Sequence, residues 1–194
     1  MARTKEFEKE EALDKAIQLF WQKGYNGASM QEVVDCLALS RSSIYDTFGD
    51  KRKLFIEALQ KYRKENTCKM IDFLEQATEV KATVQEIFER AIQESITDPQ
   101  HKGCFVVNAA VELAPHDKDF EEIVNQNKET VENAFEKLIR KGQAEGQISQ
   151  KQDAKALSRF IYNNFSGIRV AAKSGASKES LEDVVKVVLS VLDF

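Results

Sequence analysis

The chain has 194 residues, 42% hydrophobic and 31% charged, with a formal net charge of −4. This is the balance of a globular protein that can bury a core without disulfide or metal staples. The longest apolar runs, such as 184–192, are interrupted by Lys186 and Ser190 and fall short of the roughly 20 residues of a membrane span. The charged start has no apolar stretch behind it, so no span and no secretory signal is expected, and the protein is expected in the cytoplasm.

Only two prolines and eight glycines punctuate the chain, and apolar residues recur at helical spacing almost throughout, which predicts an all-α protein. A first helix is expected from about Phe7 to Lys23, with Leu13, Ala16, Ile17 and Phe20 on one face and Gly24 as its C-terminal cap. Ser29-Met30-Gln31-Glu32 has the capping-box pattern and opens a short helix through Val33, Val34 and Leu37. After a turn at Ala38-Leu39, Ser40 caps a second short helix to about Phe48. Gly49-Asp50 ends it, and a long helix starts at Lys51. Two short helices joined by a tight turn and braced by a longer one form a helix-turn-helix.

From Lys51, apolar positions through Leu54, Phe55, Tyr62, Met70 and Ala77 describe a strut between two domains, 1–50 and 51–194. A helix through Val84, Phe88 and Ile96 stops at Asp98-Pro99, where proline removes a donor and fixes φ. A short apolar segment from Cys104 to Leu113 follows, then a long helix from about Phe120 towards Gly142. Two more helices are expected, about Asp153 to Ser174 and about Lys178 to Asp193. Cys36, Cys68 and Cys104 form no C-x-x-C, and His101 and His116 form no H-E-x-x-H, so neither a metal site nor a cofactor is expected. G-x-G-x-x-G, G-x-S-x-G and P-loop patterns are absent too, which argues against an enzyme.

The ordered set A-x-x-L-F-x-x-x-G-Y at Ala16 to Tyr25, S-M-Q-E-V-V from Ser29, and L-S-R-S-S-I-Y-D-T-F-G-D-K from Leu39 to Lys51 resembles the DNA-binding domain of the TetR (tetracycline repressor) family of bacterial transcriptional regulators. The resemblance implies an N-terminal three-helix DNA-binding domain and a larger C-terminal helical domain for ligand binding and dimerisation. It implies a repressor that a small-molecule effector releases from a palindromic operator in double-stranded DNA. The residues themselves suit that role. Arg41, Ser42 and Ser43 open the recognition helix, where arginine can take guanine edges and hydroxyls can take base or phosphate. Tyr45, Thr47 and Lys51 suit phosphate oxygens, Ser29 joins the DNA-binding set, and Ile44 and Phe48 pack the helix inward. Arg3 and Lys5 are candidates for an arm near a groove. Ala38 stands where the family often has glycine, and Asp46 would repel any phosphate it faced.

Overall acidity does not exclude DNA, because phosphate neutralisation is local. Residues 1–65 hold 12 Lys/Arg against 11 Asp/Glu and the remainder 16 against 21, so the acidic surplus lies in the C-terminal part. There, Phe88, Cys104, Phe105, Asn108, Phe135, Phe160 and Asn164 are the candidate effector lining, apolar walls with a few amides. Leu157, Phe160, Ile161, Phe165, Ile168, Leu181, Val184, Val188 and Val191 give the last two helices apolar faces wider than one core requires, and the resemblance pairs these helices with a twofold mate. Cys104, at a helix start with Lys102 nearby, also supports an oxidation- or electrophile-switched regulator of the same fold. A helical protein-interaction module without DNA binding is the reading from another class.

Overall fold

The computed structural model describes residues 2–193, and side chains from residue 9 onward. Arg3 and Lys5, expected as an arm, therefore lie outside the described side chains. Nine helices and no strand occur among the described residues: α1 Ala2–Gly27, α2 Met30–Leu37, α3 Arg41–Phe48, α4 Lys51–Glu75, α5 Val80–Thr97, α6 Phe105–Glu112, α7 Lys118–Ala144, α8 Ala154–Lys173 and α9 Lys178–Ser190.

The ends of these helices follow from local chemistry. Gly24, at φ 75°, interrupts α1 where a capping glycine is expected. At the start of α2, the Ser29 hydroxyl accepts from the Glu32 amide at 3.2 Å while the Glu32 carboxylate accepts from the Ser29 amide at 2.8 Å, a complete capping box. Ala38 ends α2 at φ 53°, ψ 36°, the left-handed conformation that glycine adopts freely. An alanine there costs about 1 kcal/mol, and the turn is kept tight in spite of it. Ser40, Asp50, Asp153 and Ser177 cap α3, α4, α8 and α9 with their side-chain oxygens.

Two buried clusters hold the molecule together. One joins α5, α7, α8 and α9 around Phe88, Phe135, Ile139 and Ile161. The other joins α1 to α4 but continues into α6 and the start of α7 through Phe105, Val106, Ala109, Leu113, Phe120 and Ile123. Packing is thus continuous across residue 50, the boundary expected from the sequence. Phe55 is the centre of that continuity. Its ring lies 4.9 Å from Phe20, 5.4 Å from Tyr25, 5.2 Å from Phe105 and 5.5 Å from Phe120, each in an edge-to-face arrangement.

Candidate nucleic-acid interface and effector cavity

The helix-turn-helix presents one face of α3 to solvent. Ile44 and Phe48 are buried with Val33 and Leu37, and this leaves Arg41, Ser42, Ser43, Tyr45 and Asp46 exposed and Thr47 half-buried. The Arg41 guanidinium stands 5.9 Å from the Tyr45 ring centroid, so the two form one amphipathic, cationic surface. At the first turn, the Ser40 hydroxyl accepts from the Ser43 amide at 3.1 Å and lies 2.9 and 2.8 Å from the Ser42 and Ser43 hydroxyls. Ser42 and Ser43 are therefore held in place by one another's neighbour. Ser29 differs, since its hydroxyl is spent on Glu32 within the capping box.

Lys51 is the first residue of α4. Its ammonium lies 4.3 Å from the Tyr25 ring centroid, and partial burial draws its pKa below the usual lysine value. The Asp50 carboxylate already accepts from the Lys53 amide at 2.7 Å, so the anion-binding capacity of this helix start is partly used and Lys51 contributes mainly its own charge.

The helix-turn-helix is tethered to the rest of the chain. Glu112, at the end of α6, accepts from the backbone amides of Tyr25 and Asn26 at 3.1 and 2.8 Å, in the last turn of α1 after its break at Gly24. Gly24 suits its positive φ, and a Cβ there would fall 2.6 Å from the Glu112 carboxylate, which would have to shift off the two amides. At the other end of α6, Trp21 donates its indole N–H to the Gly103 carbonyl at 3.0 Å. Arg52 of α4 binds Asp117 bidentately at 2.8 and 2.9 Å and reaches Asp119 at 2.7 Å, fixing the strut to the start of α7.

Beyond α6 lies a cavity of about 580 Å³, bounded by α1, α4, α5, α6, α7 and α8. That volume is within the range of small-molecule sites. Of the seven residues expected to line it, Cys104 does. Phe88 and Phe135 are fully buried in the body core, and Phe105 is sealed between Phe55 and Tyr62. Asn108 donates to the Lys102 carbonyl at 2.8 Å, and Asn164 donates to the Phe160 carbonyl at 2.8 Å. Phe160 points outward, 38% exposed. The walls are instead residues that the sequence reading passed over, among them Trp21, Tyr62, Phe73, Asn127, Tyr162 and Arg169. Their signal is present in hindsight: Tyr62, Asn66, Met70 and Phe73 on α4, and Tyr162, Ser166 and Arg169 on α8, mix polar and apolar groups along one helical stripe. Burial raises the Tyr62 and Tyr162 hydroxyl pKa values above the ordinary tyrosine value, so both remain neutral donors.

The expected interface helices divide. Leu157, Ile161, Ile168, Leu181 and Val188 are buried in the chain's own core, and Phe165 and Val191 pack partly against it. Phe160 and Val184 are exposed, together with Val170 and Val187. Among the described residues no group of three potential metal ligands is found, and no helix is long and apolar enough to cross a membrane.

Comparison with known proteins assigns the architecture. Residues 12–58 match the model of bacterial regulatory proteins of the tetR family, and residues 80–188 match a tetracyclin repressor-like C-terminal domain. The chain belongs to the TetR family. It is 32% identical over the full length of both chains to an uncharacterized HTH-type transcriptional regulator, YezE, from Bacillus subtilis. It is 27% identical to the HTH-type transcriptional repressor ComR from Escherichia coli, covering 96% of this chain and 90% of that one. Among solved structures, a cysteine-substituted form of the TetR family regulator CifR in complex with 26-base-pair operator DNA superposes with a TM-score of 0.81 at 28% identity, over 92% of this chain and 94% of that one. Membership makes this TetR-family chain a DNA-binding regulator of transcription rather than an enzyme.

Proposed function

We propose that the chain is a homodimeric repressor that binds a palindromic operator through α3 and leaves it when a small molecule occupies the cavity. Residues 1–50 would read DNA and residues 51–194 would bind effector and dimerise, with α4 and α6 joining the two. The observation that carries this reading is the exposed Arg41–Tyr45 face on a helix whose other face is fixed by Ile44 and Phe48. Arg41, Ser42 and Ser43 are the proposed base readers, and Tyr45, Thr47 and Lys51 the phosphate contacts. Asp46 shares the exposed face and contributes no phosphate contact. The repressor names of relatives such as ComR, and the operator complex of CifR, support the direction of the effect.

Selection of bound fragments from genomic DNA tests this directly. Wild type is expected to enrich an inverted repeat whose half-sites lie about one DNA turn or a multiple apart. Tyr45→Ala and Lys51→Ala are each expected to weaken binding about tenfold or more, and Lys51→Ala to reduce the logarithmic salt slope by about 1 per protomer. Enrichment of no repeat, or unchanged affinity in both variants, sinks the assignment of α3 as reader.

A second reading has one observation in its favour. Cys104 lines the cavity at the N-cap position of α6, makes no capping bond there, and stands beside the Tyr62 hydroxyl. Oxidation of this thiol to a sulfenic acid by hydrogen peroxide, which is itself reduced to water, would place a polar group where α6 begins. Peroxide is then expected to release operator from wild type but not from Cys104→Ser. Equal responses of the two proteins remove the reading.

A further inference from the structure

We propose that the effector is an organic anion, an aryl carboxylate whose carboxylate is taken by Arg169 and whose rings lie against the aromatic wall of the cavity; this rests on the effector-released reading above. Arg169 lines the cavity, and its Nε is buried with no acceptor among the described residues. A guanidinium N–H removed from water without an acceptor is costly, and a carboxylate is the group that best satisfies it. The Arg169 guanidinium stands 5.3 Å from the Phe165 ring centroid, and Nη2 donates to the Glu94 carboxylate at 2.9 Å. That carboxylate is 65% exposed, so the pair is weak and readily exchanged for a carboxylate held in a closed site.

The surroundings of Arg169 supply donors. The Tyr62 and Tyr162 hydroxyls are kept protonated by burial, and Ser166 stands beside Tyr162. The Asn127 carbonyl oxygen accepts from Thr67 at 2.8 Å, which orients the amide. The charged lining is Lys69, Arg90, Lys102 and Arg169 against Glu94 and Asp98, a cationic surplus in a chain whose net charge is −4. Arg90 also meets Glu86 outside the lining, and the Asp98 carboxylate is occupied by the Gln100 and Lys102 amides at 3.1 and 2.8 Å. Among the lining carboxylates, Asp98 is thus engaged and Glu94 exposed; Glu132, whose Oε1 is buried without a hydrogen-bond partner, acts on Tyr162 from outside the lining. The apolar wall includes Trp21, Phe73, Phe165 and Tyr162. Lys102, Arg90 and Arg169 stand over the first three rings at 5.0, 4.5 and 5.3 Å. An aryl carboxylate of one to three fused rings in about 580 Å³ therefore meets aromatic edges and cations together.

The test uses matched pairs of equal shape, benzoate, 2-naphthoate and anthracene-2-carboxylate against their primary amides, with the full-length protein. Binding is read by calorimetry and melting temperature without DNA, and operator release is read separately. At least one carboxylate is expected to bind about tenfold or more tighter than its amide, with the preference abolished in Arg169→Gln and partly restored in Arg169→Lys. Equal or tighter binding of the amides to wild type, no binding by any carboxylate, or a preference that survives in Arg169→Gln overturns the proposal. Because the pairs are compared on wild type, a poorly folded variant does not protect it. Amides that bind and release operator would sink the anion inference and leave the effector reading standing. A carboxylate that binds through Arg169 without loosening operator would do the reverse.

Discussion

Phe55→Ala is expected to lower the stability of the chain by about 3–5 kcal/mol, the usual cost of deleting a buried aromatic ring, and its melting temperature by about 10 °C. Phe55 is 1% exposed, and the four rings around it are held on three different helices, α1, α6 and α7, so none is free to fill the space. Phe20 and Tyr25 belong to the reading head, Phe105 to α6 and Phe120 to α7. Truncation therefore removes the head's seat on the body as well as apolar burial. Thermal melts followed by far-ultraviolet dichroism check the first effect. Hydrogen exchange checks the second, with amides of α1 and α6 expected to lose protection together. A melting temperature within about 2 °C of wild type would show that the rings repack, and would remove Phe55 as the joint between the two parts.

That joint marks the limit of what the sequence disclosed. The helices were legible because their signals are local: Ser29 with Glu32 and Ser40 before α3 act within four residues and the structure keeps both, while Gly24, expected as a cap, breaks α1 three residues before its end. The inward face of α3 was equally legible, since Ile44 and Phe48 are four apart in a helix otherwise polar. The cavity was not. Aromatic residues on apolar faces mark the middle of the core, as Phe88 and Phe135 do, both completely enclosed. Cavity walls form where a stripe is only half apolar, as with Tyr62 and Asn66 or Tyr162 and Ser166, and such stripes look like helix flanks until their neighbours are known. The tether through Glu112 was hidden for the same reason, because its partners at Tyr25 and Asn26 are backbone amides 87 and 86 residues away.

Phe160→Glu and Val184→Glu, combined, are expected to convert a dimer into a chain of 22.0 kDa in sedimentation and to weaken operator binding by on the order of 100-fold. Phe160 is 38% exposed on α8 and Val184 37% exposed on α9, while Val170 and Val187 extend the apolar surface at 45% and 60%. Scattered exposed apolar residues need no explanation, but four on two adjacent helices form a patch suited to a second copy. Gly167, on the outward side of α8, has nothing within 4 Å of where a Cβ would stand, and so leaves room for close approach of another helix. In a twofold arrangement each introduced glutamate faces its own symmetry mate or a neighbouring apolar side chain, so two substitutions place four buried charges in one interface. The fold of each protomer should survive, since neither residue belongs to the chain's own core and Leu157, Ile161 and Val188 keep α8 and α9 in place. Dichroism unchanged from wild type, with mass halved and operator affinity lost, is the expected result. A variant that remains dimeric would place the twofold contact elsewhere, and one that becomes monomeric yet keeps full operator affinity would refute paired reading of the palindrome.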